Sequence, residues 1–406
     1  MSFHYTKGSR IAFQLDIIRE LFGIKLNLTG SIGAGGAMNR VRMVAIGGFL
    51  GSGKTTTIIK LAKKLASEGR RVAIVTNDEG ENLVDTNLVK DYGFAVMEVV
   101  GGCFCCRFPD FISHVQDMMR EVNPDVILAE PVGSCTDFLA TVYGPLRQYY
   151  EDKLTLAPFT VLIDAANVLL DLEGKRVLTS SDTAVGDLYA WQVKDADKLA
   201  INKTDLVPKE KVPEIEAFLK KLNPTAGIIQ ISAKTGYNMD ELLRILMQEE
   251  HKPRPTITNE VNYNTYASAE AELGWFNGIF KFNSDKPLKI DSLMKELLTE
   301  LNRQVEESKG VIVHAKVRFS TEKGQAKASL VISDQFIDIT GEVPPPSKEM
   351  DVILNVRAAL DPVALTNIVR SSLSAVASKY NASYADWSAT SFRPPYPKPY
   401  YRLVHT

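Results

Sequence analysis

The chain has 406 residues, 45% of them hydrophobic and 24% charged, with 47 Lys and Arg against 49 Asp and Glu. That length points to two domains rather than one. A net charge of −2 removes the electrostatic case for nucleic acid or an anionic membrane as main partner, and no stretch approaches the ~20 uninterrupted apolar residues of a membrane span.

Residues 1–40 read as an extension and linker. IAFQLDIIRELFGIKL has apolar residues at roughly helical spacing, and TGSIGAGGAM follows as a flexible stretch. Asp16, Arg19 and Glu20 interrupt the apolar part and make it a poor secretory signal; Met38 and Met43 are alternative starts. With no export signal and with clustered cysteines, the expected compartment is the cytoplasm.

From residue 41, short β-branched runs alternate with helix-length segments. They are VRMVAIG (41–47), RVAIVT (71–76), FAVMEVV (94–100), DVILAE (125–130), FTVLID (159–164), DKLAIN (197–202) and GIIQIS (227–232). Continuous apolar strands in this rhythm predict an α/β domain over 41–250, a mostly parallel sheet covered by helices. Such sheets bind ligands outside the carboxyl ends of their strands. A Pro-containing linker follows at 251–258. A smaller α+β domain is expected over 259–385. It comprises a strand at GWFNGIFKFN, a helix within 286–307, a hairpin of GVIVHAKVRFS and QAKASLVISD across TEKG, a strand at DVILNVRAAL and a helix at 361–379. Residues 386–406 read as a Pro- and Tyr-rich tail, extended and either docked or free.

GGFLGSGKTTT satisfies G-x-x-x-x-G-K-[ST] from Gly48 to Thr55, between a predicted strand and a predicted helix. Gly48, Gly51, Ser52, Gly53 and Thr56 shape a loop whose N–H groups face an anion. Lys54 is the point charge for the β/γ-phosphates, and the Thr55 hydroxyl suits Mg²⁺. Asp205 of INKTDLV follows a strand; its carboxylate accepts both N1–H and N2–H of guanine, a donor pair that adenine lacks. The Lys203 stem covers the base, Asn202 braces the loops, and Ser232, Ala233 and Lys234 of ISAKTG bring backbone N–H groups towards guanine O6. Together these select GTP. Glu130 ends the strand DVILAE, where it would hold Mg²⁺ directly or through water; Gly133 would contact the γ-phosphate, and Asp78 is a second acidic candidate. No arginine is placed as a finger in cis, so slow intrinsic hydrolysis is expected, awaiting a partner or dimer.

GGCFCC holds Cys103, Cys105 and Cys106, three of the four cysteines in the chain. Packing, a disulfide, a redox pair or a metal clip would each use sulfur. Adjacent Cys105 and Cys106 are poorly disposed for a mutual disulfide. Three thiolates in one turn at a strand end can converge on a borderline cation such as Zn²⁺. Buried packing stays open as the plain alternative.

With these motifs in place, residues 43–245 resemble the CobW-type metallochaperone GTPases, kin to the hydrogenase- and urease-maturation GTPases. The resemblance rests on GGFLGSGKTT, NDEGENLVD, GGCFCC, AEPVGS, VLIDAANV, WQVKDADKLAINKTDLV and ISAKTG. It implies a P-loop GTPase with a small C-terminal α+β domain and GTP-dependent delivery of a metal or metal-bearing cofactor. It further implies cargo such as Zn²⁺ or another transition metal on Cys103, Cys105 and Cys106, with help from Glu81. Thr76 stands where the family usually has Glu, and the five histidines are scattered rather than gathered in a tract. The client would be a metalloprotein or, in a variant reading, a corrinoid protein served through cobalamin. The rival reading is a GTP-switched regulator whose cysteines sense redox state or only pack.

Overall fold

The computed structural model describes residues 40–78, 92–175, 183–254, 260–331 and 337–403. The β-branched runs form β1 (Val41–Gly48), β2 (Val72–Asp78), β3 (Ala95–Val100), β4 (Val126–Glu130), β5 (Leu154–Leu156), β6 (Thr160–Asp164), β7 (Lys198–Asn202) and β8 (Gly227–Gln230). They make one sheet in the order β3-β2-β4-β1-β6-β7-β8, with β5 also beside β1. Every pairing in it is parallel. β4 and β6 are buried at every position, as continuous apolar strands between two helical layers must be. The sequence runs miss β5. It is three residues long and separated from β6 by Ala157, Pro158 and Phe159, where proline cannot donate to a ladder.

Helices α1 (Lys54–Ser67), α2 (Phe108–Glu121), α3 (Gly144–Tyr150), α4 (Ala165–Leu172), α5 (Ala184–Asp195), α6 (Val212–Leu222) and α7 (Met239–Gln248) link these strands. In α2, Phe108, Phe111, Ile112, Val115 and Met118 are buried, the i, i+3, i+4, i+7 stripe of a helix with one wet face. A further helix, α8 (Tyr263–Ala271), packs against α5. Asn262 caps it by accepting from the N–H groups of Asn264 and Thr265.

The antiparallel second sheet contains β9 (Gly274–Leu288), β10 (Ile312–Thr321), β11 (Gly324–Val331), β12 (Asp338–Thr340), β13 (Ser347–Ala358) and β14 (Ala382–Phe392). Its order is β12-β11-β10-β13-β9-β14. The β10–β11 hairpin turns at the expected TEKG. Helices α9 (Ile290–Glu307) and α10 (Pro362–Lys379) bury Leu293, Leu297, Leu301, Leu365, Val369 and Leu373 against one face of it. β14 takes in residues 386–392 of the stretch read as tail. Beyond it the Pro-Tyr segment lies docked on the parallel-sheet layer, where the Leu403 N–H donates to Ala140 O at 2.9 Å. Among the described residues, no helix is long and apolar enough to cross a membrane.

Candidate nucleotide cleft and thiol cluster

The loop after β1 wraps back into α1, with Gly53 at φ 95° as the helix N-cap. A Cβ there would meet the Asn202 amide nitrogen at 2.4 Å, so the position takes only glycine. Lys54 is buried and donates from Nζ to Gly48 O at 2.8 Å and Phe49 O at 3.2 Å. Thr55 Oγ1 donates to Glu130 Oε1 at 2.7 Å. Two buried hard oxygens converging at the strand and helix ends are what Mg²⁺ favours, so these residues fit the ion assigned to them.

Asn202 ends β7 and bridges two loops. Its Nδ2 donates to Ser52 O at 2.8 Å, and its Oδ1 accepts from the Ala233 N–H at 2.9 Å. Ser232 Oγ donates to Asp205 Oδ1 at 2.6 Å, which orients that carboxylate. Lys203, at φ 64°, pairs through Nζ with Asp164 Oδ2 at 2.6 Å.

A cleft of about 1330 Å³, open to solvent, is lined by Gly51, Gly53, Lys54, Thr55, Thr56, Glu130, Gly133, Asn202, Lys203, Asp205, Ala233 and Lys234. Gly48, Ser52 and Ser232 lie buried in the same loops without lining it. The Asp78 side chain and Glu81 fall outside the described residues.

Sequence reasoning assigned no role to three groups of this region. Asp164 caps α4 from the end of β6 and holds Lys203; an acid between a strand and a helix was the available signal. Gln192 of α5 donates from Nε2 to Gly133 O at 2.8 Å and Cys135 O at 3.0 Å, fixing the loop after β4. Glu270 of α8 is buried and accepts from Ser134 Oγ at 2.5 Å; burial pushes its carboxyl up to about 7.

The cysteine loop connects β3 to α2. Gly102 takes φ 148°, and the N–H groups of Cys106 and Arg107 both donate to Cys103 O, at 3.0 and 2.9 Å. Phe104 is fully buried and stacks obliquely on Phe111 at 4.5 Å, pinning the turn to α2. The sulfurs of Cys103, Cys105 and Cys106 all lie within 4.8 Å of one another. Cys103 Sγ donates to Cys106 Sγ at 3.2 Å, and Cys105 and Cys106 are 3.8 Å apart at sulfur. Two sulfurs at about 2.3 Å from one tetrahedral zinc stand about 3.8 Å apart, so the spacing accommodates a shared ion with little movement. None of the four cysteines is in a disulfide.

Thiol hydrogen bonds from Cys103 and Cys105, with the Lys398 amide, hold the Cys106 pKa down to about 3. Cys103 is raised by the same sulfur network and by burial. For Cys105 the bond to Cys103 pulls downward, but Cys106, Cys135 and burial outweigh it and carry the thiol up. Cys135 is raised to about 11, burial overcoming the bond from Cys105.

The Pro-Tyr segment covers this cluster. The Lys398 N–H donates to Cys106 Sγ at 3.1 Å, the Tyr400 N–H donates to Cys105 O at 2.8 Å, and Tyr401 meets Phe108 edge-on at 5.3 Å. Arg402 Nε pairs with the fully buried Asp137 at 2.7 Å.

Asn77 joins cluster and cleft. It lines the cleft, its Nδ2 donates to Val99 O at 3.0 Å and Gly102 O at 2.8 Å, and its Oδ1 accepts from the Phe104 N–H at 2.8 Å. Its neighbour Thr76 is in register with Glu130.

A family model described as CobW/HypB/UreG, nucleotide-binding domain, matches residues 42–230. The chain is similar to zinc-regulated GTPase metalloprotein activator 1 of Dictyostelium discoideum, 26% identical over 213 residues, 46% of this chain and 44% of that protein. It is also similar to the zinc chaperone YeiR of Escherichia coli strain K12, 32% identical over 187 residues, 45% of this chain and 51% of that protein. The chain thus spans about half the length of the curated relatives it matches. Among solved structures, HypB from Helicobacter pylori in complex with nickel is 18% identical with a TM-score of 0.38, covering 51% of this chain and 86% of that one. With the phosphate loop, the guanine-type loops and the cysteine turn all on one parallel sheet, residues 42–230 are similar to the CobW/HypB/UreG nucleotide-binding domain.

Proposed function

We propose that this protein is a GTP-hydrolysing metallochaperone that holds one Zn²⁺-class ion on Cys103, Cys105 and Cys106 and passes it to a client metalloprotein. The observation that carries the reading is Asn77, one side chain shared by the cleft and the cysteine turn. Relatives named as zinc chaperones turn the choice of cargo towards zinc and away from the corrinoid alternative. Glu81 remains a further candidate ligand.

In this reading Lys54 and the N–H groups of the phosphate loop hold the β- and γ-phosphates, and Gly133 senses the γ-phosphate. Asp205 and Lys203 hold the base, with Ser232, Ala233 and Lys234 closing around it. Mg²⁺ on Thr55 and Glu130, with Asp78 as a second acidic candidate, would neutralise charge on the transferred phosphoryl group. Intrinsic turnover is slow, accelerated by the client or by a second copy in a homodimer, and the compartment is the cytoplasm.

Coupling must be reciprocal. If GTP tightens the metal tenfold, metal tightens GTP tenfold, about 1.4 kcal/mol. Zn²⁺ titrated into apo, GDP-bound and non-hydrolysable-GTP-bound protein should give at least two distinct affinities. Equal affinities in all three states would spare the metal site but remove the gating. For the base, Asp205→Asn should weaken GTP by about 100-fold and favour xanthosine triphosphate, because the amide donates to the carbonyl that replaces the guanine amine. Undiminished GTP affinity in the variant would sink the base assignment.

A further inference from the structure

The second sheet has two unlike faces. Ala315, Val317, Phe319 and Leu354 turn towards α9 and α10. Strand alternation puts His314, Lys316, Lys327, Ser329, Asn355 and Arg357 on the other face, and that face lines the cleft across from the phosphate loop. Strand order fixes where each group lies. At one end Asp338 of β12 pairs with Lys234 of the ISAKTG loop at 2.7 Å. At the other end Trp275 of β9 shares a small pocket with Phe49 and Leu50 of the phosphate loop. β11 and β10 lie between these ends in the order of the sheet. Their lysines therefore stand over the stretch from the base loop to the phosphate loop.

Charge points the same way. The cleft is lined by Lys54, Lys203 and Lys234 on one wall and Lys316, Lys327 and Arg357 on the other, against Glu130, Asp205 and Asp338. Arg357 is anchored, lying over the Trp275 ring at 4.1 Å and donating to Asn277 Oδ1 at 2.9 Å. Lys327 is only 4% exposed and lines the cleft from this face.

We infer that Lys316 and Lys327 contact the phosphates of a bound nucleotide, so that the C-terminal sheet supplies a second cationic wall of the nucleotide site in cis. This rests on the cleft being the nucleotide site. These cations come from within the chain and add to whatever a partner or a second copy would bring.

Full-length wild type, Lys316→Ala, Lys327→Ala, the double variant and Lys327→Arg are titrated with Mg·GTP, Mg·GDP and guanosine at two salt concentrations. Each alanine should weaken GTP by about tenfold and leave guanosine unchanged. The salt dependence should shrink in the double variant, because fewer screened contacts remain, while Lys327→Arg keeps most of the affinity. Melting curves identify any variant that fails to fold; half-buried Lys316 gives the test a second position. Folded alanine variants that bind GTP as tightly as wild type overturn this inference and leave the cleft assignment standing. Folded wild type that binds no GTP overturns both.

Discussion

Lys54→Ala should lower the rate of GTP hydrolysis by about a thousandfold or more, measured as phosphate release in a single turnover. The charge sits where phosphoryl transfer would build negative charge, and it is already positioned. Lys54 is buried and held by the carbonyls of Gly48 and Phe49 at 2.8 and 3.2 Å, so little reorganisation precedes reaction. Removing the amine leaves those carbonyls to face the phosphates uncompensated, which hurts binding as well as the chemical step. Lys54→Arg should rescue little, because a planar guanidinium cannot fill the space of a compact ammonium between two carbonyls. Turnover within a few-fold of wild type in a folded Lys54→Ala protein would end the assignment of this loop to phosphate.

Cys105→Ser should weaken Zn²⁺ by at least about 100-fold, judged by competition with a chromophoric chelator under anaerobic conditions. A serine hydroxyl does not ionise near neutral pH, so it cannot stand in for the thiolate that zinc requires. The wild-type pH profile carries more information. Cys106 is held at about 3 and is already a thiolate at neutral pH, whereas Cys103 and Cys105 are raised. Binding then displaces two protons. Affinity should rise with pH by about two orders of magnitude per unit through the neutral range and flatten above the raised thiol values. A slope near zero, or a serine variant that binds like wild type, would return the cysteines to packing.

Much of this architecture was legible because buried parallel strands are apolar throughout. The seven runs read from the sequence correspond to seven strands of the first sheet, and the phosphate loop falls between β1 and α1. What stayed hidden lacks periodicity for identifiable reasons. β14 is an edge strand, largely exposed, and a bulge between Asp386 and Ser388 shifts the alternation of its apolar residues. The helix α8 buries Tyr266 and Ala269 beside the acid Glu270 and shows no clear apolar stripe. The site divides similarly. Local motifs marked Lys54, Thr55, Asn202 and Asp205, because chemistry and backbone shape coincide within a few residues. The contributions of Gln192, Trp275, Lys316 and Lys327 are set by tertiary approach between segments far apart in sequence. A lysine in an alternating strand reads as a solvated face until the opposite wall is known.

The lid formed by residues 398–401 has a consequence for exchange kinetics. Cys103 and Cys105 are 2% and 0% exposed, the Lys398 N–H donates to the half-buried Cys106 sulfur, and the Tyr400 N–H donates to the Cys105 carbonyl. A free chelator or a small cellular thiol would meet the half-buried Cys106 first, and not the two buried sulfurs. To reach those two it must wait for the Pro-Tyr segment to lift, which breaks both contacts and parts Tyr401 from Phe108. Loss of the ion to solution would then run at the opening rate, unchanged by more chelator once capture outpaces reclosing. A client that binds the segment itself escapes that limit, since its own docking opens the door. Selectivity would therefore be enforced by access and timing, with no need for the client to hold the metal more tightly than every small molecule around it.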